Sequence, residues 1–483
     1  MKKITLFTIA LASISLFSCK GFLDVKPTNS IPSGETITTL ADAKVMINGL
    51  LRSMASSGYY GRNFMIYADA KGGDATIVSQ GRGLDALYVF NHSITSNSYA
   101  SFWAEGYNSL LQANNIIESI DELIANGSTL DFSNYKGQAL TLRALIHFDL
   151  VRLYGKTYTD NPSTYGVPIV TKRLGYDAQV LRSSVADVYK QIIADLTAAA
   201  PLLPKAKANG YINYYGLKAL ESRIYLTMGD FDKAFAAAEE VIGSNAYSLY
   251  KNTEWVGSWA TSFGKESIFE IALAKDQGDL GSSSLGYYYL RSKDNNALGN
   301  FTASDYYLNR LGEDPTDVRW GVMTTDELKR NAACYKYVGG VDKKLEGKDG
   351  FTAVNIKVIR LSEVYLIAAE AALKKPAADK AKAATYLNLI RQRAPALAPA
   401  TAATVTEDMI LDEKSKELYG EGQRFWDMIR TNKTITFNDE HVGVTMQHRT
   451  KSINRSFNKT ILPIPQGEID ANPEIGKQQN PGY

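Results

Sequence analysis

Between positions 247 and 320 the chain concentrates aromatic side chains: Trp255, Trp259, Tyr287, Tyr288, Tyr289, Tyr306, Tyr307 and Trp320. Asp74, Asn97, Asn295 and Asn296 are candidate polar partners. Rings with short polar side chains suit a ligand that has an apolar face and a hydroxyl rim, as a sugar ring has. Each ring contact contributes on the order of 1 kcal/mol, so affinity for a soluble chain would come from several modest contacts. The competing role for every one of these rings is to pack loops onto helices. The three consecutive tyrosines carry a further constraint, because a strand would alternate their faces and expose at most some of them.

Bond-breaking chemistry has no comparable support. The sequence lacks a His-Glu-x-x-His zinc motif, a Gly-x-Ser-x-Gly nucleophile turn and a P-loop. Gly81, Gly83 and Ala86 fit a Gly-x-Gly-x-x-Ala string, but no strand-then-helix unit surrounds them, and a loop accounts for them. His147 sits at the edge of an apolar stripe and is expected in the core. Glu363 and Glu370 lie two helical turns apart and share a face. With Arg391 and Arg393 on the following helix, they are expected to tie helices together rather than to act as a catalytic pair. No Asp-x-Asp-x-Asn-Gly calcium loop is present, although irregular calcium sites stay open. No cofactor and no metal ligand set is expected.

Composition narrows the classes further. A chain of 483 residues, 45% apolar and 22% charged, is a folded protein of two or three domains or one large repeat-built unit. With 53 basic and 51 acidic residues the net charge is +2, which gives no electrostatic basis for binding nucleic acid. Two cysteines exclude a disulfide framework and a cysteine-based zinc site. Lys2 and Lys3 followed by the apolar residues 4–17 read as a signal peptide. That apolar run is shorter than the ~20 residues a spanning helix needs. It ends in Leu16, Phe17, Ser18 and Cys19, which resembles a bacterial lipoprotein box, so Cys19 is the expected site of lipidation. An ordinary secretory signal with an incidental cysteine is the alternative. Several acyl chains on one residue would make attachment durable. Loss of residues 1–18 removes Lys2 and Lys3, leaving a formally neutral chain with Cys334 as its free thiol. Residues 20–33, with Pro27 and Pro32, read as an extended tether.

The elements that must position the aromatic residues read as paired helices. Apolar residues recur at helical period over 110–124 and 140–154, separated by Gly127 and Ser128. Ser184 is placed to cap a helix through Val188, Ile192 and Leu196. Residues 214–228 and 231–242 form another pair around Gly229. There Tyr225, Gly229, Phe231, Ala234 and Ala238 match a tetratricopeptide repeat, with Ser222 replacing its other glycine. Two more hairpins are expected over 359–393 and 407–429. Four hairpins argue for an α-solenoid that buries its core by stacking neighbours. Two irregular stretches interrupt them, 56–99 and 247–356, and loops of that length are usually functional.

The C-terminal hairpins carry a family resemblance. Arg360, Leu361, Glu363, Tyr365, Leu366, Ala369, Glu370 and Ala371 resemble a signature helix of the SusD/RagB family of outer-membrane nutrient-binding lipoproteins. Residues 387–394 are similar to its partner helix. The block with Glu417, Leu418, Glu421, Gly422, Arg424, Phe425, Trp426 and Asp427 resembles the next, and Leu462, Pro463, Ile464, Pro465 and the closing residues 479–483 resemble the family's C-terminus. Arg143, Ala144, Phe148, Tyr154, Gly155, Gly166, Val167 and Pro168 agree more loosely. Lys414 departs from the arginine usual there, and lysine cannot make a bidentate fork. Trp426 is expected in the core, and Trp103 is expected to pack.

This resemblance implies a mainly α, tetratricopeptide-like solenoid with long aromatic-rich loop insertions. The chain is expected to divide into signal peptide 1–18, tether 19–33, N-terminal helical part 34–246, ligand-binding insertion 247–356 and C-terminal helical part 357–483. The resemblance further implies a non-catalytic surface lipoprotein of the outer membrane that captures an oligosaccharide and passes it to a SusC-like, TonB-dependent β-barrel transporter. A peptide or glycopeptide binder of the same fold, and a helical-repeat scaffold for another protein, are the alternatives.

Overall fold

The computed structural model describes residues 37–77, 90, 92–95, 97–175, 177–273, 280–289, 301–326, 329–337, 354–437 and 451–483. Cys19, the tether, the string around Gly81, and Asn295 and Asn296 lie outside them.

Helices dominate. In the first half these are α1 (Leu40–Met54), α2 (Asn63–Lys71), α3 (Asn97–Ala125), α4 (Ser133–Tyr154), α5 (Val185–Ala199), α6 (Tyr214–Met228) and α7 (Phe231–Gly243). The starts follow from capping chemistry. Thr39 accepts from Asp42 N while the Asp42 carboxylate accepts from Thr39 N, a reciprocal capping box. Ser184 accepts from Asp187 N at 3.1 Å, as its position implied. Helix α6 stops at Gly229, whose φ of +77° suits a residue without Cβ and whose N–H caps two carbonyls. Ala234 and Ala238 are fully buried in the packed pair α6 and α7, which is the close approach their small size predicted.

The second half contains α8 (Asn252–Trp255), α9 (Leu285–Tyr289), α10 (Asp305–Leu311), α11 (Leu361–Lys374), α12 (Lys380–Arg391), α13 (Glu407–Leu418), α14 (Arg424–Arg430), α15 (Gln466–Ala471) and α16 (Pro473–Gly476). Helix α11 packs on both α7 and α12, so successive hairpins stack as a solenoid does. Hairpin helices α3 and α4 are longer than their apolar stripes suggested. The segment expected to open a helix at Ile359 is instead the strand Ile356–Arg360 running straight into α11.

Short antiparallel strand pairs hold the irregular stretches. β1 (Ala75–Ile77) pairs with β3 (Phe301–Ala303), Ile77 opposite Phe301, which joins the two irregular stretches read from the sequence. β2 (Ser267–Ile271) pairs with β6 (Ile356–Arg360), Ile271 opposite Ile356, so chain leaving the solenoid at β2 returns beside it. β4 (Met323–Thr324) pairs with β5 (Ala333–Cys334), and β7 (Ile435–Thr436) with β8 (Ser452–Ile453). No described helix is long and apolar enough to cross a membrane.

The charges at the helix seams are structural. Arg223 of α6 grips Glu363 of α11 through two bonds of 2.7 and 2.6 Å. Arg430 of α14 grips Glu370 in the same bidentate way. The glutamates therefore tie different helices than the facing arginines 391 and 393 suggested. Lys414 reaches Asp427 at 2.7 Å with a single bond, as expected of lysine. His147 is fully buried. Its Nδ1 lies 3.1 Å from the Arg143 carbonyl, its Nε2 accepts from Val170 N, and burial pulls its pKa down to about 3. The Pro463 and Pro465 segment is braced: Leu462 N donates to Leu153 O, and Asn480 donates to both Tyr154 O and Leu462 O.

Candidate functional site

The aromatic residues singled out in the sequence fall in separate places rather than on one surface. Trp255 and Trp259 form a small buried cluster with Val322 and are 0% and 4% exposed. Their surroundings explain why. Glu413, Glu417 and Glu421 follow one another at four-residue spacing and meet Arg319, Arg360, Arg393 and Lys336. The Lys336 ammonium lies 4.5 Å from the Trp259 ring centre, and the Arg393 guanidinium lies 5.5 Å from that of Trp255. The Trp255 indole N–H donates to Glu417 at 3.3 Å. These tryptophans shield an ion-pair network from water and offer no ring face to a ligand. That corrects the expectation of exposure at both positions.

Burial at Glu417 opposes ionisation, but Arg393, Arg360 and Arg319 outweigh it and hold its carboxyl at about 2. Removing one partner of such a network would strand a buried charge, so the network is costly to break.

Tyr307 and Asp74 belong to a second internal group. Tyr307 packs on Tyr419 with ring centres 4.3 Å apart and donates to Lys416 O. Asp74 is 1% exposed, accepts from Ser415 Oγ at 2.7 Å and pairs with Arg310 and Arg424. Its acceptor capacity is already used, which corrects its expected place at a sugar rim. Tyr306 is exposed on α10. Trp320 is half-buried, and its indole N–H donates to Asp314 O at 3.2 Å. Asn97 is the first residue of α3.

The tyrosine triplet lies on the short helix α9, not on a strand. Helical geometry turns Tyr289 inward, where its hydroxyl donates to Asp69 at 3.1 Å. Tyr288 is 4% exposed, with the Arg62 guanidinium 4.5 Å from its ring centre and the Phe301 ring stacked at 6.3 Å. Tyr287 stays half-buried, its ring centre 6.2 Å from that of Tyr288. Of the triplet, Tyr287 is the least buried.

Around α9 the described ends of several insertions converge. A pocket of about 190 Å³ is lined by Gly61, Leu273, Ser284, Leu285, Tyr337 and Val354, among others. Leu273 closes the segment after β2, and Tyr337 and Val354 flank residues 338–353. Leu273 N donates to Asn355 at 3.1 Å, drawing those ends together. Gly61 is required by proximity: a Cβ there would stand 2.3 Å from Ala55 O and 2.6 Å from Leu280. Tyr337 lines the pocket, and its buried hydroxyl has no hydrogen-bond partner among the described residues. Arg62, Gly61, Ser284 and Tyr337 went unnoticed in the sequence. Only the run Tyr59, Tyr60, Gly61 within a glycine-rich stretch hinted at them. The pocket has mainly apolar walls, and Arg62 and Tyr287 follow its lining residues Gly61 and Gly286 directly in the chain. Among the described residues, no cluster of three or more His, Cys, Asp or Glu side chains could hold a metal ion.

Comparison with known proteins matches this architecture. Residues 203–483 match the model of the SusD family, and residues 21–226 match a model described as "Starch-binding associating with outer membrane". The chain belongs to the SusD family. A solved SusD superfamily protein of Bacteroides thetaiotaomicron is 33% identical and superposes with a TM-score of 0.83 over 92% of this chain and 100% of that one. A SusD-like protein of Formosa agariphila is 24% identical over 90% of this chain and 92% of its own. A solved laminarin-binding SusD-like protein shares the fold, with a TM-score of 0.72 at 23% identity over 92% of this chain and all of its own.

Proposed function

We propose that the protein captures an oligosaccharide at the outer membrane and delivers it to a SusC-like, TonB-dependent β-barrel transporter, with no bond-breaking of its own. The observation that carries the reading is the convergence of insertion ends on the pocket beside Tyr287, Tyr288 and Arg62. Family membership supports it, as do relatives whose names state starch or laminarin binding. Cys19 is the proposed lipid anchor and residues 19–33 the tether. The helical parts 34–246 and 357–483 then act as a scaffold, and insertion 247–356 supplies ligand contacts. Exposed Tyr306 and half-buried Trp320 stand as further contacts with the ligand or the transporter. So do Asn97, Asn295 and Asn296.

The test is a calorimetric screen of the full chain in detergent against plant, host and microbial polysaccharides and peptides. Binding to one glycan class, weakened by Tyr287→Ala, is the expected result. Binding to peptides alone, or to the transporter alone, would replace this reading with the peptide-binding or scaffold alternative.

A further inference from the structure

Three Asn-Gly pairs occur in the chain: Asn48 with Gly49, Asn126 with Gly127, and Asn209 with Gly210. Such a pair can modify itself. The backbone nitrogen that follows the asparagine attacks the side-chain carbonyl carbon, and glycine puts no side chain in its way. The nitrogen attacks only after its N–H has lost the proton, so a hydrogen bond made by that N–H protects the pair. All three asparagines are exposed, so exposure does not separate them.

Hydrogen bonding does separate them. Gly49 lies inside helix α1, where its N–H is engaged by the turn before it, and the Asn48 side chain accepts from the Tyr211 hydroxyl at 2.7 Å. At the end of α3 the Gly127 N–H donates to Ile124 O at 3.0 Å, and Asn126 N donates to Glu122 O at 2.9 Å. Gly210 sits in the turn from Ala208 to Tyr211, which is closed by Tyr211 N on Ala208 O at 3.4 Å. Among the described residues, neither the Gly210 N–H nor the Asn209 side chain has a hydrogen-bond partner.

We infer that Asn209 is a site of spontaneous deamidation, and that the fold withholds the same reaction from Asn48 and Asn126. The Gly210 nitrogen gives its proton to solvent and bonds to the side-chain carbonyl carbon of Asn209. The bond from that carbon to the amide nitrogen breaks, and ammonia leaves with a solvent proton. One water then opens the succinimide at either of its carbonyls, leaving aspartate or isoaspartate at position 209. The sum is one water consumed and one ammonia released, with no oxidant or reductant.

The product changes a contact between two turns. A neutral side chain becomes a carboxylate two residues from Lys207, whose ammonium holds Phe263 O at 3.0 Å and Gly264 O at 2.6 Å. A Cβ on Gly210 would stand 3.6 Å from the Phe263 ring, so the turns touch. Isoaspartate lengthens the backbone at that point. Conversion therefore loosens the turn 261–264 that leads into β2. The reaction does not depend on what the protein binds.

In the test, the full chain in detergent is aged in mildly alkaline buffer, digested and mapped by mass spectrometry. The peptide holding Asn209 should gain the mass of an amide-to-acid change and split into aspartate and isoaspartate forms. It should convert about tenfold faster than the Asn48 and Asn126 peptides, the factor that one protecting hydrogen bond sets. In urea the three rates should converge, because all three amides are then free. Asn209→Gln should abolish the early product, and Gly210→Ala should slow it. Ageing should also speed hydrogen exchange of the Phe263 amide, which donates to Glu270 at 2.9 Å. Similar rates at the three sites in the folded chain, faster conversion at Asn48 or Asn126, or a folded rate at Asn209 far below its rate in urea would overturn the inference. Unchanged exchange at Phe263 in the converted chain would overturn the loosening of the second turn.

Discussion

Arg62 and Tyr288, separated by 226 positions in the chain, are joined by a 3.0 Å hydrogen bond, with the guanidinium 4.5 Å from the ring centre. The pair links the chain before α2 to helix α9 and uses up much of what Tyr288 could offer a ligand. Its neighbour Tyr287 is half-buried, the least enclosed of the three consecutive tyrosines. Tyr287→Ala should therefore weaken glycan binding about fivefold, the loss of one aromatic contact of on the order of 1 kcal/mol, while leaving unfolding nearly unchanged. Arg62→Ala should weaken binding and also lower stability, because it strands the Tyr288 hydroxyl. Parallel calorimetry and chemical denaturation would separate the two effects.

The buried tryptophans should behave in the opposite way. Trp255→Ala and Trp259→Ala should each destabilise the fold by about 3–5 kcal/mol, as large-to-small core substitutions do. They also expose the cations beneath the rings. Urea denaturation should show a reduced midpoint for both. A lower glycan affinity with an unchanged midpoint would contradict their assignment to the core.

These two cases mark what the sequence allowed. Helical period, the Ser184 cap and the Gly229 turn are local signals, and the hairpins they mark are present as read. Aromatic density in a loop-rich stretch is also local, but whether a ring faces water depends on partners far away. Trp259 is enclosed because Lys336 and Arg360 arrive from other segments, and no spacing around position 259 announces them. The same holds for Asp74, whose partners Arg310, Ser415 and Arg424 are more than 200 positions distant. A strand is the only geometry weighed for the triplet at 287–289, whereas the fold places its three consecutive rings on a short helix.

Gly422 offers a test of close packing between α2 and the turn before α14. Its φ is +71°, and a Cβ would lie 2.9 Å from Met65 Cα, a backbone atom that cannot swing aside. Gly422→Ala should thus lose more than the ~1 kcal/mol that a compatible glycine-to-alanine change gains. A lowered Tm in a thermal scan is the expected outcome. An unchanged or raised Tm would mean that α2 yields easily.

Acid should attack the fold through the network around Glu417. Its carboxyl is held at about 2, below its ordinary value of 4.5, because three arginines outweigh the effect of burial. Burial likewise opposes ionisation of Glu421, and Arg360 and Lys336 reverse it. A carboxylate whose pKa is lower folded than unfolded contributes stability that is complete above the unfolded value. That contribution drains as pH falls from about 4.5 towards 2. Denaturation midpoints should accordingly stay level near neutrality and fall steeply below pH ~4.5. Glu417→Gln keeps the shape but takes one buried counter-charge from Arg360 and Arg393, leaving Glu266 as the carboxylate they share. At neutral pH it should be destabilised by about 3–5 kcal/mol, the cost of breaking a buried pair on one side. Between pH ~4.5 and ~2 its stability should fall less steeply than that of the parent chain, since one of the protonating groups is gone. Parallel curves for variant and parent through that window would show that Glu417 does not carry the acid response.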